Sequence, residues 1–181
     1  MREYKLIAHR GSHKFAKENS LFSFFNAINE NYYGFECDVR GTKDKKFYIY
    51  HDMLYDGKLF KSFNSNEIIC DTLESVLKLN TNKIILLEIK DPFIDIDNLV
   101  KTLIKYESKN IYVMSFYNTV IDKLKIKKMN TKKIVGIFLL SLCTMCFVNC
   151  SDDDTPDDPA DTITLNMLNE HNGKTYLGES N

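Results

Sequence analysis

The run Ile84-Ile85-Leu86-Leu87-Glu88-Ile89 places five large apolar residues in six positions, with no alternation of polar and apolar side chains. A strand that is apolar on both faces must be covered on both, which is the situation of a strand inside a parallel sheet flanked by helices. The surrounding sequence has the same grammar from Tyr4 to about Lys128. Leu6-Ile7-Ala8-His9 reads as a strand. Ser20 to Asn31 reads as a helix with Leu21, Phe24, Phe25 and Ile28 on one face, stopped by Gly34. Phe35 to Val39 is a second strand, and Lys46 to Tyr50 is an extended segment after the turn-like Gly41-Thr42-Lys43-Asp44. Thr72 to Leu79 carries Leu73, Val76 and Leu77 at helical spacing, with Thr72 or Asp71 as N-cap. Asp97 is expected to cap a helix through Tyr106, Ile111 to Phe116 reads as a strand and Asn118 to Lys127 as a helix. Strands separated by helices imply parallel pairing and right-handed crossovers, so the fold class is α/β.

The grammar changes at Met129. Asn130-Thr131-Lys132-Lys133 is a short basic stretch, and Ile134 to Val148 is an uncharged apolar run of 15 residues. Cys150, Ser151-Asp152-Asp153-Asp154 and Thr155-Pro156-Asp157-Asp158-Pro159 follow. Charge divides at the same place: residues 1–128 hold 21 Lys+Arg against 17 Asp+Glu, and residues 129–181 hold 3 against 8. A basic region, an apolar stretch and a cysteine before acidic residues look like the signal peptide and lipidation site of a bacterial lipoprotein, with Asn149 where a small residue is usual. Three segments are therefore expected. Residues 1–128 form the α/β part, 129–150 a signal-like or membrane-anchor segment with an apolar helix, and 151–181 an acidic, disordered tail. The run is shorter than the roughly 20 residues that span a bilayer. Signals of this kind normally begin a protein, so a junction of two unrelated gene products near Met129 is also expected.

No nucleic-acid partner is expected, since the chain has neither a basic run with interleaved aromatics nor a binding motif of that class. Cys37 and Cys70 read as reduced thiols. Cys143 and Cys146 form a C-x-x-C inside the apolar run, without the second ligand pair that a zinc site needs.

The residues that carry chemistry lie at the ends of the expected strands. His9-Arg10-Gly11 ends the first, and Glu18-Asn19-Ser20 opens the first helix. In Glu36-Cys37-Asp38-Val39 the two carboxylates share one strand face, because residues i and i+2 point the same way. Two adjacent carboxylates repel unless a positive group lies between them, and a hard divalent cation with oxygen ligands answers that need. His51-Asp52 ends the next extended segment. Glu88 and Lys90 again share a face, at the end of a strand where a charge is costly unless paired or put to use. Their bland reading is a plain ion pair. His13 and His171 match no motif and read as surface residues.

Taken in order, H-R-G, E-N-S, E-x-D-V, H-D and E-I-K resemble the motifs of the glycerophosphodiester phosphodiesterases. Asp71-Thr72-Leu73-Glu74-Ser75-Val76-Leu77 and Met114-Ser115-Phe116 extend the resemblance over about residues 4–128. Lys17 and Asp71 stand where that family commonly has proline, and Lys45 where it has glycine; none of these is a motif residue. The resemblance implies a (β/α)₈ TIM barrel, a divalent metal, Mg²⁺ or Ca²⁺, and a small-molecule glycerophosphodiester as partner. It implies Glu36, Asp38 and Glu88 as metal ligands, with Glu18 completing the shell or holding Arg10. His9 and His51 would be the general acid/base pair, and Arg10 and Lys90 would neutralise the phosphodiester oxygens. The reaction implied is hydrolysis to glycerol 3-phosphate and an alcohol.

Such a barrel takes about 250 residues and eight strands. Residues 1–128 supply about four βα units, an incomplete barrel whose fourth strand would be left as an open apolar edge. Weak or no activity is expected for this chain. The competing readings are a membrane-tethered or lipid-anchored protein, associated through Ile134–Val148, and a chimeric chain with no function as written. A cytoplasmic location is expected for the enzyme-like part, and a membrane location if residues 134–150 act as anchor or signal.

Overall fold

The structure, a computed structural model, describes residues 5–106, 110–130, 138–141 and 162–164. Nine strands and four α-helices are found among them. They are β1 (Leu6–Ala8), α1 (Leu21–Asn29), β2 (Gly34–Gly41), β3 (Phe47–Ile49), β4 (Leu54–Tyr55), β5 (Lys58–Leu59), α2 (Leu73–Leu77), β6 (Ile84–Ile89), α3 (Ile96–Ile104), β7 (Ile111–Ser115), α4 (Asn118–Asn130), β8 (Phe138–Ser141) and β9 (Thr162–Thr164). One sheet runs β8-β7-β6-β2-β1-β9, with β3 attached to β2; β4 and β5 form a separate hairpin. β1, β2, β6, β7 and β8 are mutually parallel in sequence of pairing, whereas β9 joins β1 and β3 joins β2 in antiparallel sense. This is the α/β order that the alternating runs imply.

The two faces of the sheet are covered differently. Phe35, Cys37 and Val39 of β2 and Ile85, Leu87 and Ile89 of β6 join the main core, together with Phe24 and Ala27 of α1, Leu73 and Leu77 of α2, and Leu99 and Leu103 of α3. On the opposite face Ile7, Ile84 and the partly buried Tyr112 make a small apolar cluster near the start of the strands. Farther along that face come Glu36, Asp38 and Glu88, all buried. The side-chain period of two sorts one strand into an apolar face toward the helices and a polar face on the opposite side of the sheet.

Local chemistry sets the helix ends. Ser20 caps α1, its side chain accepting from Ser23 N while Ser23 Oγ accepts from Ser20 N. Each such cap satisfies donors that the first turn leaves unpaired. At the other end the Lys83 ammonium donates to the carbonyl oxygens of Ala27, Glu30 and Tyr32, so α1 stops at Asn29 without waiting for Gly34. Phe25 departs from its expected place on the buried face and is exposed, since one residue of helix rotates it about 100° from Phe24. Thr72 caps α2 as expected. For α3 the cap is Asp95, two residues before the expected Asp97, and its carboxylate accepts from Asn98 N.

The largest correction lies beyond Met129. α4 runs to Asn130, and Phe138–Ser141 is a strand paired parallel to β7 from Tyr112↔Phe138 to Ser115↔Ser141. Those four residues are therefore not part of an apolar helix, and β7 is not an open edge. A short run without polar residues fits a doubly covered strand as well as a buried helix, because periodicity cannot separate the two. Five parallel strands are present among the described residues where the sequence implied about four. Thr162–Thr164 is likewise a strand within the segment expected to be disordered. The rest of Ile134–Val148, Cys143, Cys146, Cys150, His171 and the remainder of the acidic tail lie outside the described residues. No helix among the described residues is long and apolar enough to cross a membrane.

Candidate metal centre

Strand register gathers the site. Ala8 pairs with Phe35, and Asp38 pairs with Glu88, so the residues that follow β1 and those at the carboxyl ends of β2 and β6 meet at one level. Glu36, Asp38 and Glu88 each present a carboxylate oxygen within 4.8 Å of the others, and all three side chains are buried. His51 arrives by a different route. β3 runs antiparallel to β2, with Val39 opposite Ile49, and Tyr50 N donates to Asp38 O at 3.0 Å. The hairpin thus carries the chain back from Gly41 to the level of Asp38, and His51 follows.

Cations and donors surround the carboxylates. Lys90 Nζ lies 2.7 Å from Glu88 Oε1 and 3.3 Å from Asp38 Oδ1. Arg10 Nε is 3.3 Å from Asp38 Oδ2, and Arg10 Nη1 donates to both oxygens of Glu18 at 3.0 Å. Glu18 therefore holds Arg10 and lies outside the cluster of three. His9 Nε2 stands 3.9 Å from Glu36 Oε2, which accepts from Arg10 N at 3.0 Å. Glu36 Oε1 is buried and accepts no hydrogen bond. A buried carboxylate oxygen without a donor is costly. Together with two further carboxylates within reach it fits an oxygen-ligated divalent cation, so the residues present suit a metal.

Burial, with Asp38 and Glu88 adding like charge, pushes the Glu36 carboxyl well above its ordinary value of 4.5. Burial also raises Glu88, against the opposing pull of the Lys90 ammonium. Burial works to lower Lys90, but Asp38 and Glu88 outweigh it and raise the ammonium above 10.5. Arg10 is likewise raised, Asp38 and Glu18 prevailing over burial. Three buried carboxylates thus share one crowded place with the Arg10 and Lys90 cations.

Two residues that the motif reading left without a role also belong here. Asn19 sits at φ 51° and Arg10 at φ 54°, in the left-handed region that non-glycine residues seldom occupy. Asn19 tolerates it better than most, and its amide grips Asp38 twice: Nδ2 donates to Oδ2 at 2.7 Å, and Oδ1 accepts from Asp38 N at 3.1 Å. Arg40 continues the Glu36–Asp38 face of β2. Its Nε and Nη2 donate to His51 O at 3.0 and 2.6 Å, and its Nη1 donates to Lys90 O at 3.1 Å. The Arg40 guanidinium ties the two loops that bear His51 and Lys90. His51 Nδ1 is 2.9 Å from Asp52 Oδ1, with the ring part-exposed.

A mostly parallel α/β sheet carrying a buried carboxylate cluster at the carboxyl ends of its strands defines the class: an α/β protein with its candidate site at the face where such sheets bind ligands. The chain belongs to the glycerophosphoryl diester phosphodiesterase family, whose sequence profile matches residues 9–146. It is 36% identical over 76 residues to the protein YhdW of Bacillus subtilis (strain 168), whose name assigns it provisionally to the glycerophosphodiester phosphodiesterases; the match covers 41% of this chain and 30% of that protein. Among solved structures, the glycerophosphodiester phosphodiesterase of Parabacteroides distasonis ATCC 8503 is 28% identical, with a TM-score of 0.59 over 70% of this chain and 62% of that one. The Thermotoga maritima enzyme of the same name shares the fold at 24% identity and TM-score 0.58, over 78% of this chain and 63% of that one. The chain spans less than two thirds of the length of these relatives.

Proposed function

We propose that this chain carries the metal-binding and proton-transfer part of a glycerophosphodiester phosphodiesterase, hydrolysing its substrate to glycerol 3-phosphate and an alcohol. The observation that carries the reading is the triad of Glu36, Asp38 and Glu88, buried and mutually within 4.8 Å. These three hold the metal, Mg²⁺ or Ca²⁺, both of which take oxygen ligands. The metal, when bound, supplies positive charge against the phosphate and glycerol oxygens.

The remaining roles belong to the protein's own side chains. Arg10 and Lys90 face the phosphodiester oxygens and balance the charge that grows on them. His9 and His51 exchange the protons, one receiving a proton from the attacking water and the other giving one to the leaving alcohol oxygen. Glu18 fixes Arg10, and Asn19 fixes Asp38. Water's oxygen stays on phosphorus, the P–O bond to the alcohol breaks, and the alcohol leaves protonated.

A cytoplasmic location is proposed for the enzyme-like part; the alternative reading keeps the barrel part to 1–128, with a lipoprotein-type signal or anchor segment at 129–150 and a tail at 151–181. Membrane association through Ile134–Val148 is supported by the uncharged run behind a basic stretch. Against it stands the pairing of Phe138–Ser141 with β7, which favours the barrel reading. The test is hydrolysis of glycerophosphocholine by the purified chain with Mg²⁺ or Ca²⁺. Slow release of glycerol 3-phosphate, abolished by Glu36→Ala, supports the enzyme. No release, with the chain in the membrane fraction, overturns it in favour of the tether.

A further inference from the structure

One cation beside the site has no part in the proposed reaction. Arg40 is the last residue but one of β2, and its guanidinium is half-buried. It makes no ion pair among the described residues. Each of its hydrogen bonds there goes to a backbone carbonyl: Nε and Nη2 converge on His51 O, and Nη1 reaches Lys90 O. Burial draws the group below its ordinary 12.5, with Asp91 and Asp38 pulling the other way. An arginine remains charged even so. A cation taken partly out of water and spent on neutral oxygens is costly unless the geometry is put to use. The two carbonyls lie on different segments, one after β3 and one after β6, and each belongs to a residue whose side chain the reaction needs.

We infer that Arg40 is a positioning residue for the hydrolysis, setting the distance between His51, which moves a proton, and Lys90, which meets the phosphate. The inference rests on the phosphodiesterase reading. Backbone pairing holds each segment only up to the edge of the sheet. Tyr50 N donates to Asp38 O at 3.0 Å, and Lys90 N donates to Val39 O at 3.1 Å, both acceptors on β2. Beyond these bonds neither His51 nor Lys90 lies in a strand. There the guanidinium takes over, and it refers both residues to the strand that carries Glu36 and Asp38. Its planar fork reaches the two carbonyls through separate nitrogens in fixed geometry. A lysine ammonium, with every donor on one atom at the end of a flexible stem, does not reproduce that. A misplacement of about 1 Å in a reacting group costs on the order of 10²-fold in rate.

The full chain is compared with Arg40→Ala and Arg40→Lys. Calorimetry gives the affinity for Ca²⁺ and, with Ca²⁺ present, for glycerol 3-phosphate; hydrolysis of glycerophosphocholine gives kcat and KM. Arg40→Ala is expected to keep its Ca²⁺ affinity, because the three carboxylates stand on strands. It should bind glycerol 3-phosphate more weakly and lose about 10²-fold in kcat. Arg40→Lys keeps the charge and is expected to lose nearly as much. Arg40 lines the depression beside Lys90, so a guanidinium ion from solution can reach its place. Methylguanidinium should restore kcat to Arg40→Ala and leave the parent chain unchanged. Ca²⁺ affinity that falls in step with kcat, with no recovery in methylguanidinium, shows that Arg40 only holds the fold and overturns the inference. Full function in Arg40→Lys overturns it as well, since charge alone then suffices. If the parent chain binds glycerol 3-phosphate without turnover, that binding and its recovery by methylguanidinium decide in the same way. If the parent does both and Arg40→Ala matches it, this inference alone fails. If the parent does neither, the phosphodiesterase reading fails and the inference falls with it.

Discussion

Glu36 is fully buried between two other carboxylates, and one of its oxygens accepts no hydrogen bond. Nothing in folding alone rewards that arrangement, since charge repulsion and desolvation act together. Glu36→Gln is therefore expected to abolish binding of Mg²⁺ or Ca²⁺ by calorimetry, yet raise the melting temperature of the metal-free chain at pH 7 to 8. An unchanged metal affinity would remove Glu36 from the ligand set. The pH dependence follows from the same residues. The folded pKa values of Glu36 and Glu88 are both raised above 4.5, so the folded state holds protons that the unfolded chain releases. Their contribution to stability is complete below about pH 4.5 and is lost as the pH rises through the folded values. Metal-free protein in chelator should melt at progressively lower temperature from pH 5 to 8. With metal present the trend weakens or reverses, because the ion takes the place of the protons. A melting temperature in chelator that rises over this range would contradict the burial argument.

Between β2 and β6 the backbones approach too closely for a side chain at Gly34. A Cβ there would lie 2.3 Å from Ile84 O and 2.8 Å from Ile84 Cβ. Gly34→Ala must push apart the two strands that carry all three carboxylates. It is expected to cost about 1–3 kcal/mol in urea unfolding and to weaken metal binding in the same sample. Wild-type stability in that variant would show that the strands can separate freely at this end. Most elements could be read in advance: β1, β2, β6 and β7 from their apolar runs, α1 and α2 from Ser20 and Thr72. What escaped was set by partners distant in sequence. Asp71, expected as a possible cap for α2, instead accepts from Leu21 N at 2.7 Å at the start of α1, and Lys83 closes the other end of that helix. No local pattern announces a cap supplied from 50 residues away.

On the scale of the molecule, the site joins separate parts of the chain. Its carboxylates come from β2 and β6, its cations from the loops after β1 and β6, and His51 from the β3 return. A metal bound there links these elements in the folded state only. At a free concentration 100 times its Kd it should add about 2.7 kcal/mol to the unfolding free energy. Urea unfolding with and without Ca²⁺ measures this, and an unmoved midpoint at saturating metal would show that the site does not depend on the fold. Beyond Met129, β8 extends the sheet on one side and β9 lies antiparallel on the other, and the family match runs through residue 146.

The sequence alone determined that strands and helices alternate, and that Glu36 with Asp38, and Glu88 with Lys90, share a strand face, because the period of two in a strand is a local property. His9, Arg10, Glu18 and His51 were legible as motif residues. Only the tertiary structure decided that Glu18 holds Arg10 outside the cluster, that Asn19 grips Asp38, and that Arg40 bridges the His51 and Lys90 loops. It also turned part of the apolar run after Met129 into a strand. These outcomes depend on register and on backbone carbonyls brought close by folding, and neither is encoded in any one stretch of sequence.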